Sequence, residues 1–191
     1  MVKNDFNIFK RIPTLKTERL ILRKIKKTDI DDVYEYATDP LVPKYLLWSE
    51  HKTKEYTKDY LKHLSKLYKQ RKFYDWGIIY KEKLIGTVGF SSINIKNNSA
   101  EIGYVLNRSF WGFGIATEAV MEILQFGFIT LNLSKIEAIF LPENHQSRRV
   151  LEKSNMKLEQ IRHSALLVKG KYQDIEVYSI LKDEYLCGIK S

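Results

Sequence analysis

Between Ala100 and Phe128 the hydrophobic period of the chain changes once, and that change limits its fold more than any other feature. Ala100 to Leu106 (AEIGYVL) alternates polar and apolar residues around Ile102, Tyr104 and Val105, the pattern of a half-buried strand. From Ala116 the apolar residues fall at Ala116, Ala119, Val120, Ile123, Leu124 and Gly127, one face of a helix. The joint between them is Trp111-Gly112-Phe113-Gly114-Ile115-Ala116-Thr117, where two glycines permit positive φ just before the helix begins. The first turn of a helix leaves its N–H groups unpaired and carries a partial positive charge, so such a joint suits a phosphate group. It equally suits a plain strand-to-helix turn that uses glycine for geometry, and spacing does not choose between the two.

Two other phosphate loops fit poorly. A nucleoside-triphosphatase loop ends in Gly-Lys-Ser/Thr, whereas Gly114 is followed by Ile115. A dinucleotide fingerprint places glycine or alanine where Thr117 stands and needs an acidic partner about twenty residues on, after a second strand.

The remaining periods alternate between helix and strand. Leu20 to Lys24 reads as a strand, and Thr28 with Asp31 reads as a capping box opening a helix with Ile30, Val33, Tyr34 and Ala37 on one face. Pro40 and Pro43 end it, and Leu41 to Glu50 is too apolar for a surface loop: either a core plug or a pocket wall. Thr53 caps a helix to Lys72 with Tyr56, Tyr60, Leu64, Leu67 and Tyr68 inward. Strands follow at Phe73 to Tyr80, Leu84 to Phe90, Ile93 to Ile95 and Ile136 to Leu141. A short helix from Asn144 or His145 to Lys153, stopped at Asn155, leads to a hairpin of Met156 to Val168 and Tyr172 to Leu181. This order gives an α+β fold with a mixed, largely antiparallel sheet.

Length and composition fit a single domain over 1–191, with 1–16 as an irregular N-terminal arm. The lone Cys187 excludes an internal disulfide framework, and the scattered His51, His63, His145 and His163 show no metal-ligand spacing, so no metal is expected. No secretory leader and no apolar run of ~20 residues is seen, which gives the expectation of a cytoplasmic protein without membrane association. The net charge of +9 favours polyanionic partners, nucleic acid among them, although Lys52, Lys54, Lys58, Lys62, Lys66 and Lys69 read as one solvated helix face.

Three stretches together resemble the GNAT superfamily of N-acetyltransferases, in its ribosomal-protein-alanine (RimJ/RimL-type) branch. They are Thr17-Glu18-Arg19-Leu20-Ile21-Leu22-Arg23, Trp111 to Ala119, and Asn144-His145-Gln146-Ser147 leading into Arg149-Val150-Leu151-Glu152-Lys153. The resemblance implies the GNAT fold, a central sheet with a splayed strand pair flanked by helices. It implies acetyl-CoA as co-substrate, with the pyrophosphate on the main chain of Trp111, Gly112, Phe113, Gly114, Ile115, Ala116 and Thr117. Val105 and Leu106 would border the pantetheine arm, Asn144 would bond its amide or orient the acetyl end, and Ser147 would protonate the departing thiolate. From residue type and spacing alone, Asn144 is also a good helix cap and Ser147 an exposed first-turn residue.

Glu101, acting through water, is the first candidate base and Asp174 the second, while His145 and His163 qualify by residue type alone. One departure stands out: the Gln or Arg usual three places before the first glycine is Ser109, with Arg108 one position earlier. The acceptor implied is an amine, foremost the N-terminal α-amine of a protein such as a ribosomal protein. A small amine, either a polyamine or an antibiotic, is the alternative. A basic nucleic-acid-binding module is the other-class reading, but it lacks a groove-reading motif, and the acetyltransferase does not require nucleic acid. A homodimer is compatible with all of this.

Overall fold

A computed structural model describes residues 12–70 and 74–189. Eight strands form one sheet in the order β1-β2-β3-β4-β5-β6-β8-β7, with all neighbours antiparallel except β5 and β6. The strands are β1 (Leu15–Lys16), β2 (Leu20–Arg23), β3 (Tyr74–Tyr80), β4 (Lys83–Asn94), β5 (Ser99–Leu106), β6 (Lys135–Phe140), β7 (Lys157–Val168) and β8 (Lys171–Leu181). Helices α1 (Ile30–Ala37) and α2 (Lys54–Gln70) cover one face. On the other face lie α3 (Ile115–Gln125), α4 (His145–Lys153) and α5 (Lys182–Ile189). No helix among the described residues is long and apolar enough to cross a membrane.

The larger core joins Trp76, Ile78, Val88, Phe90 and Ile102 of the sheet to Ala119, Val120, Ile123 and Leu124 of α3. Those four positions are the buried stripe of the helix, as its period requires. After Gln125 the helix widens into a π-type turn, Phe126–Thr130, rather than running regularly to Phe128. A side chain on Gly127 would meet Ile136 Cδ1 at 2.6 Å, so this glycine lets the turn lie against β6.

Several local expectations shift. The arm is not irregular at its end, since Leu15 and Lys16 pair with Leu22 and Ile21, and Pro13 O accepts a bond from Trp76 Nε1 at 2.7 Å; residues 1–11 of the expected arm lie outside the described part. Asp29, not Thr28 with Asp31, closes the turn before α1: its carboxylate accepts from Lys26 N at 2.7 Å and pairs with the Arg23 guanidinium at 2.8 Å. This anchored carboxylate outcompetes a flexible threonine hydroxyl.

Thr53 does cap α2, accepting from Tyr56 N at 3.2 Å. The inward row of α2 is Thr57, Leu61, Leu64 and Tyr68, and Tyr56 is 59% exposed. Residues 71–73 of the expected helix end and strand start lie outside the described part. The strands expected at Leu84 to Phe90 and Ile93 to Ile95 are one strand, β4, which bulges between Phe90 and Ser92. Asn155 takes φ +61 where α4 stops, as its left-handed tolerance suggested. Helix α5 had no counterpart in the sequence reading.

The fold feature that makes a site is the short contact between β5 and β6. They pair only at Ser99, Ala100 and Glu101 against Lys135, Ile136 and Glu137. Beyond that, β6 keeps to β8 and β5 keeps to β4, so a gap opens between Ile102–Leu106 and Ala138–Phe140.

Candidate active site

The gap leads into a cavity of about 620 Å³. Along one side run Tyr104, Val105 and Leu106 of β5, and at one end lie Trp111, Gly112, Gly114, Ile115, Ala116 and Thr117. Asn144, which caps α4, and Ser147, Arg149 and Lys153 of α4 form the opposite side, and Leu41, Val42, Lys44, Tyr45 and Leu46 form a wall, so the segment is a pocket wall that also anchors in the core through Val42 and Tyr45.

The glycine turn owes its shape to two left-handed residues, Gly112 at φ +83 and Gly114 at φ +75. Gly114 caps α3, and the first helical bond is Glu118 N to Gly114 O at 3.0 Å. The N–H groups of Ile115, Ala116 and Thr117 therefore lack intrahelical acceptors at the cavity's end, the arrangement that binds anions. Phe113 alone of this stretch does not line the cavity: its ring is 65% exposed, and its carbonyl accepts from Arg19 Nη1 at 3.0 Å.

That contact belongs to a brace which the sequence did not reveal. Glu118, in the first turn of α3, accepts from Thr17 Oγ1 at 2.5 Å, Arg19 N at 2.9 Å and Arg19 Nε at 2.6 Å. Burial works to raise the Glu118 carboxyl, but the bonds from Thr17 and Arg19 outweigh it and hold the group below the usual glutamate range. Arg19 Nη2 lies 3.5 Å from where a Gly114 Cβ would sit. The Thr17-Glu18-Arg19 stretch thus ties β2 to the glycine turn across about a hundred positions of sequence. Its only hint was that both stretches belong to the same family resemblance. Arg108 is elsewhere, paired with Asp39 at 2.5 Å, and Ser109 gives its N–H to Asn107 Oδ1 at 3.0 Å.

On β5, Val105 O points at β4, where a Cβ on Gly86 would meet it at 2.2 Å, and Asn107 N bonds Ile85 O at 2.7 Å. Strand alternation then turns the main-chain groups of Tyr104 and Leu106 toward the gap. The Leu106 carbonyl is taken by Trp111 Nε1 at 2.8 Å. The groups left for a ligand are the N–H and C=O of Tyr104 and the N–H of Leu106, while Val105 contributes contact.

Asn144 is the cap of α4, its Oδ1 accepting from Ser147 N at 3.2 Å, with its Nδ2 engaged by no described residue. The capping and functional readings of Asn144 are compatible: one end fixes the helix and the other faces the cavity. Ser147 is half-buried and lines the cavity, and its carbonyl accepts from the Tyr104 hydroxyl at 3.1 Å. Burial pushes the Tyr104 hydroxyl well above its ordinary pKa, so it remains a donor. Tyr104 bridges the two sides of the splay, and the sequence marked it only as an alternating strand residue.

The other candidates lie apart. Glu101 does not line the cavity, and its carboxylate accepts from Ser91 Oγ at 2.8 Å. Asp174 accepts from Ser164 N at 2.8 Å and pairs with His163 Nδ1 at 2.7 Å; these bonds hold its carboxyl low and fix the irregular stretch of β7. His145 lines the cavity mouth and His163 does not. Among the described residues no three His, Cys, Asp or Glu side chains are grouped to hold a metal ion.

Sequence reasoning also passed over cations. Arg149 and Lys153 lie four residues apart on one stripe of α4, and both line the cavity, as does Lys44. Arg149→Ala with Lys153→Ala is expected to weaken coenzyme A binding about tenfold or more at low salt, with a smaller loss at high salt as screening removes the attraction. Calorimetry at two ionic strengths checks this; equal losses at both would assign these residues to packing.

The chain matches the Acetyltransferase (GNAT) domain family over residues 19–157. It is 38% identical over 174 residues to "Uncharacterized N-acetyltransferase p20" of Bacillus licheniformis, covering 90% of this chain and 98% of that one. A GNAT-family acetyltransferase structure from Bacillus anthracis superposes with a TM-score of 0.79 at 30% identity, over 90% of this chain and all of that one. Ribosomal-protein-S5-alanine acetyltransferase from Vibrio fischeri superposes with a TM-score of 0.76 at 26% identity, over 91% and 98% of the two chains. With the splayed strands and the glycine turn in place, the conclusion is that this chain belongs to the GNAT family of acetyltransferases.

Proposed function

We propose that this protein transfers the acetyl group of acetyl-CoA to the N-terminal α-amine of a protein, a ribosomal protein being the favoured acceptor, in the cytoplasm. The observation that carries the reading is the continuity of the cavity. It runs from an anion-binding helix end, past free main-chain groups of β5, to the wall formed by Leu41 to Leu46. When bound, acetyl-CoA supplies an acetyl group activated as a thioester.

The chain supplies the rest. N–H groups of Ile115, Ala116 and Thr117 hold the pyrophosphate, and Tyr104 and Leu106 main-chain groups align the pantetheine arm. The Ser147 hydroxyl, steered by the Asn144 cap, donates a hydrogen bond to the thiolate as it leaves. Likeness to the Vibrio fischeri enzyme, named for a ribosomal protein's alanine, supports the acceptor class.

Proton energetics support it too. An α-amine with a pKa near ~7.7–8.0 is partly neutral at pH 7, whereas a lysine amine near ~10.4 must lose a proton at a cost of roughly 3 kcal/mol more. A peptide with a free N-terminal alanine and a blocked lysine is therefore expected to be acetylated faster at pH 7 than the reverse peptide, the difference narrowing as pH rises. Steady-state rates on the two peptides and on spermidine decide the matter. Preference for lysine or spermidine at neutral pH refutes the α-amine assignment.

A further inference from the structure

One carboxylate on the α1/α2 face of the sheet has no role in the site as described. Asp75 of β3 pairs in register with Gly89 of β4, which pairs with Gly103 of β5. Paired residues share a face, so these three form a row across the sheet. Two of the three have no side chain. A Cβ on Gly89 would lie 2.2 Å from Tyr74 O and 2.4 Å from Asp75 Oδ1, so the β3 main chain and the Asp75 carboxylate together cover Gly89, which is buried. A Cβ on Gly103 would meet nothing within 4 Å, and Gly103 is exposed in mid-strand. The row is open at Gly103, and the carboxylate over buried Gly89 closes its far end, giving a short trough. Its other end lies beside Tyr104 and Val105, which line the cavity.

The surroundings of Asp75 are largely aromatic. The hydroxyls of Tyr36 on α1 and of Tyr60 and Tyr68 on α2 lie close enough to feel its charge, and the Tyr68 hydroxyl donates to the Asp75 carbonyl, not to its carboxylate, at 2.7 Å. On the neighbouring strands the row offers only Gly89 and Gly103. Among the described residues no hydrogen bond or ion pair reaches the Asp75 carboxylate, which remains half-buried. Lys24 lies over the Tyr68 ring, 4.7 Å from its centroid. A half-buried carboxylate beside tyrosines and left unpaired is a receptor for an ammonium group.

We propose that Asp75 is the group that receives the acceptor amine through the Gly89–Gly103 trough and takes its proton. The proposal rests on the reading above that an amine is the acceptor. The ammonium gives one proton to the Asp75 carboxylate. The neutral nitrogen then forms its bond to the acetyl carbon as the carbon–sulfur bond breaks. A second nitrogen proton balances the one that the thiolate gains on the Ser147 side, and Asp75 later returns its proton to water. Burial pushes the Asp75 carboxyl up to about 7, close to an α-amine's pKa and far from a lysine's. This explains a preference for α-amines that Glu101, bonded to Ser91, does not.

The raised carboxyl also bears on the variants. A folded state that binds the Asp75 proton more tightly than the unfolded chain loses stability as pH rises from the ordinary aspartate range through about 7. Asp75→Asn removes that cost, so the variant is expected to fold at least as well at pH 8. Gly103→Val is the second variant, because its side chain enters open space in a strand yet fills the trough.

With an alanine-terminated peptide, Asp75→Asn is expected to lower kcat/KM on the order of a hundredfold at pH 7 and to leave an acid-side fall set by the α-amine alone, without the contribution of a group titrating near 7, with coenzyme A affinity within twofold. Gly103→Val is expected to weaken calorimetric binding of the peptide to the coenzyme A-loaded enzyme at least tenfold, again with coenzyme A affinity unchanged. A normal pH profile in Asp75→Asn, or normal peptide binding in Gly103→Val, overturns the proposal. If the wild type accepts only spermidine, the α-amine reading fails by itself, and the same two comparisons made with spermidine decide the role of Asp75. If no amine is acetylated, calorimetric binding of both amines to the loaded wild type and Gly103→Val still decides it.

Discussion

Gly114→Val is expected to weaken coenzyme A binding by well over tenfold while leaving the protein folded. Gly114 sits at φ +75, a conformation that costs an L-residue about 1–2 kcal/mol and a β-branched one more. Space is not the obstacle, since the nearest atom to a Cβ there is Arg19 Nη2 at 3.5 Å. The strain acts on the backbone: relieving it rotates the peptide that starts α3 and turns the N–H groups of Ile115 to Thr117 from the cavity. A loss of ~1.4 kcal/mol is already a factor of ten. Residues 112–114 are exposed, although Ile115 beside them is in the core, so the melting transition is expected to fall by only several degrees. Calorimetry is the check, and a folded variant that binds normally would remove the phosphate cradle from the account.

Ser147→Ala is expected to leave coenzyme A affinity nearly unchanged and to lower turnover on the order of ten- to a thousandfold. A hydroxyl that meets a departing thiolate acts mainly in the transition state, and one positioned donor seldom exceeds a few kcal/mol. Tyr104 bounds the effect, because its hydroxyl donates to the Ser147 carbonyl from the other side of the splay and stays protonated. If Ser147→Ala stays within twofold when chemistry is limiting, Tyr104→Phe becomes the informative variant. The hydroxyl of Tyr172 offers no substitute, because it is 69% exposed on β8 and does not line the cavity.

The parts of this site legible in the sequence are the local ones. The glycine turn and α3 could be read because period, glycine and helix start lie within about fifteen residues, and short-range physics fixes them. Asn144 was legible as a cap for the same reason. What could not be read is set by pairing across the sheet. The bonds from Thr17 and Arg19 to Glu118 span a hundred residues, and nothing in the local pattern of either stretch announces the other. Asp75 reads as one polar residue in a strand; only the register with Gly89 and Gly103 shows that it is left uncovered. The register of α2 slipped by one position at Tyr56 because aromatic rings pack partly exposed against one another, as Tyr56 does on His51 with centroids 4.8 Å apart. Helix α5 escaped notice because its apolar residues form a weak stripe, so its place comes from Tyr185 packing against Phe128.

The measurement that bears most directly on the whole account is peptide-mapping mass spectrometry of ribosomal proteins and small amines after incubation with the enzyme and acetyl-CoA. The account predicts acetyl groups on the N-terminal α-amine of one or a few proteins, absent when Gly114→Val replaces the wild type. Acetylation confined to lysines or spermidine, or none at all by an enzyme that still binds coenzyme A, would contradict it.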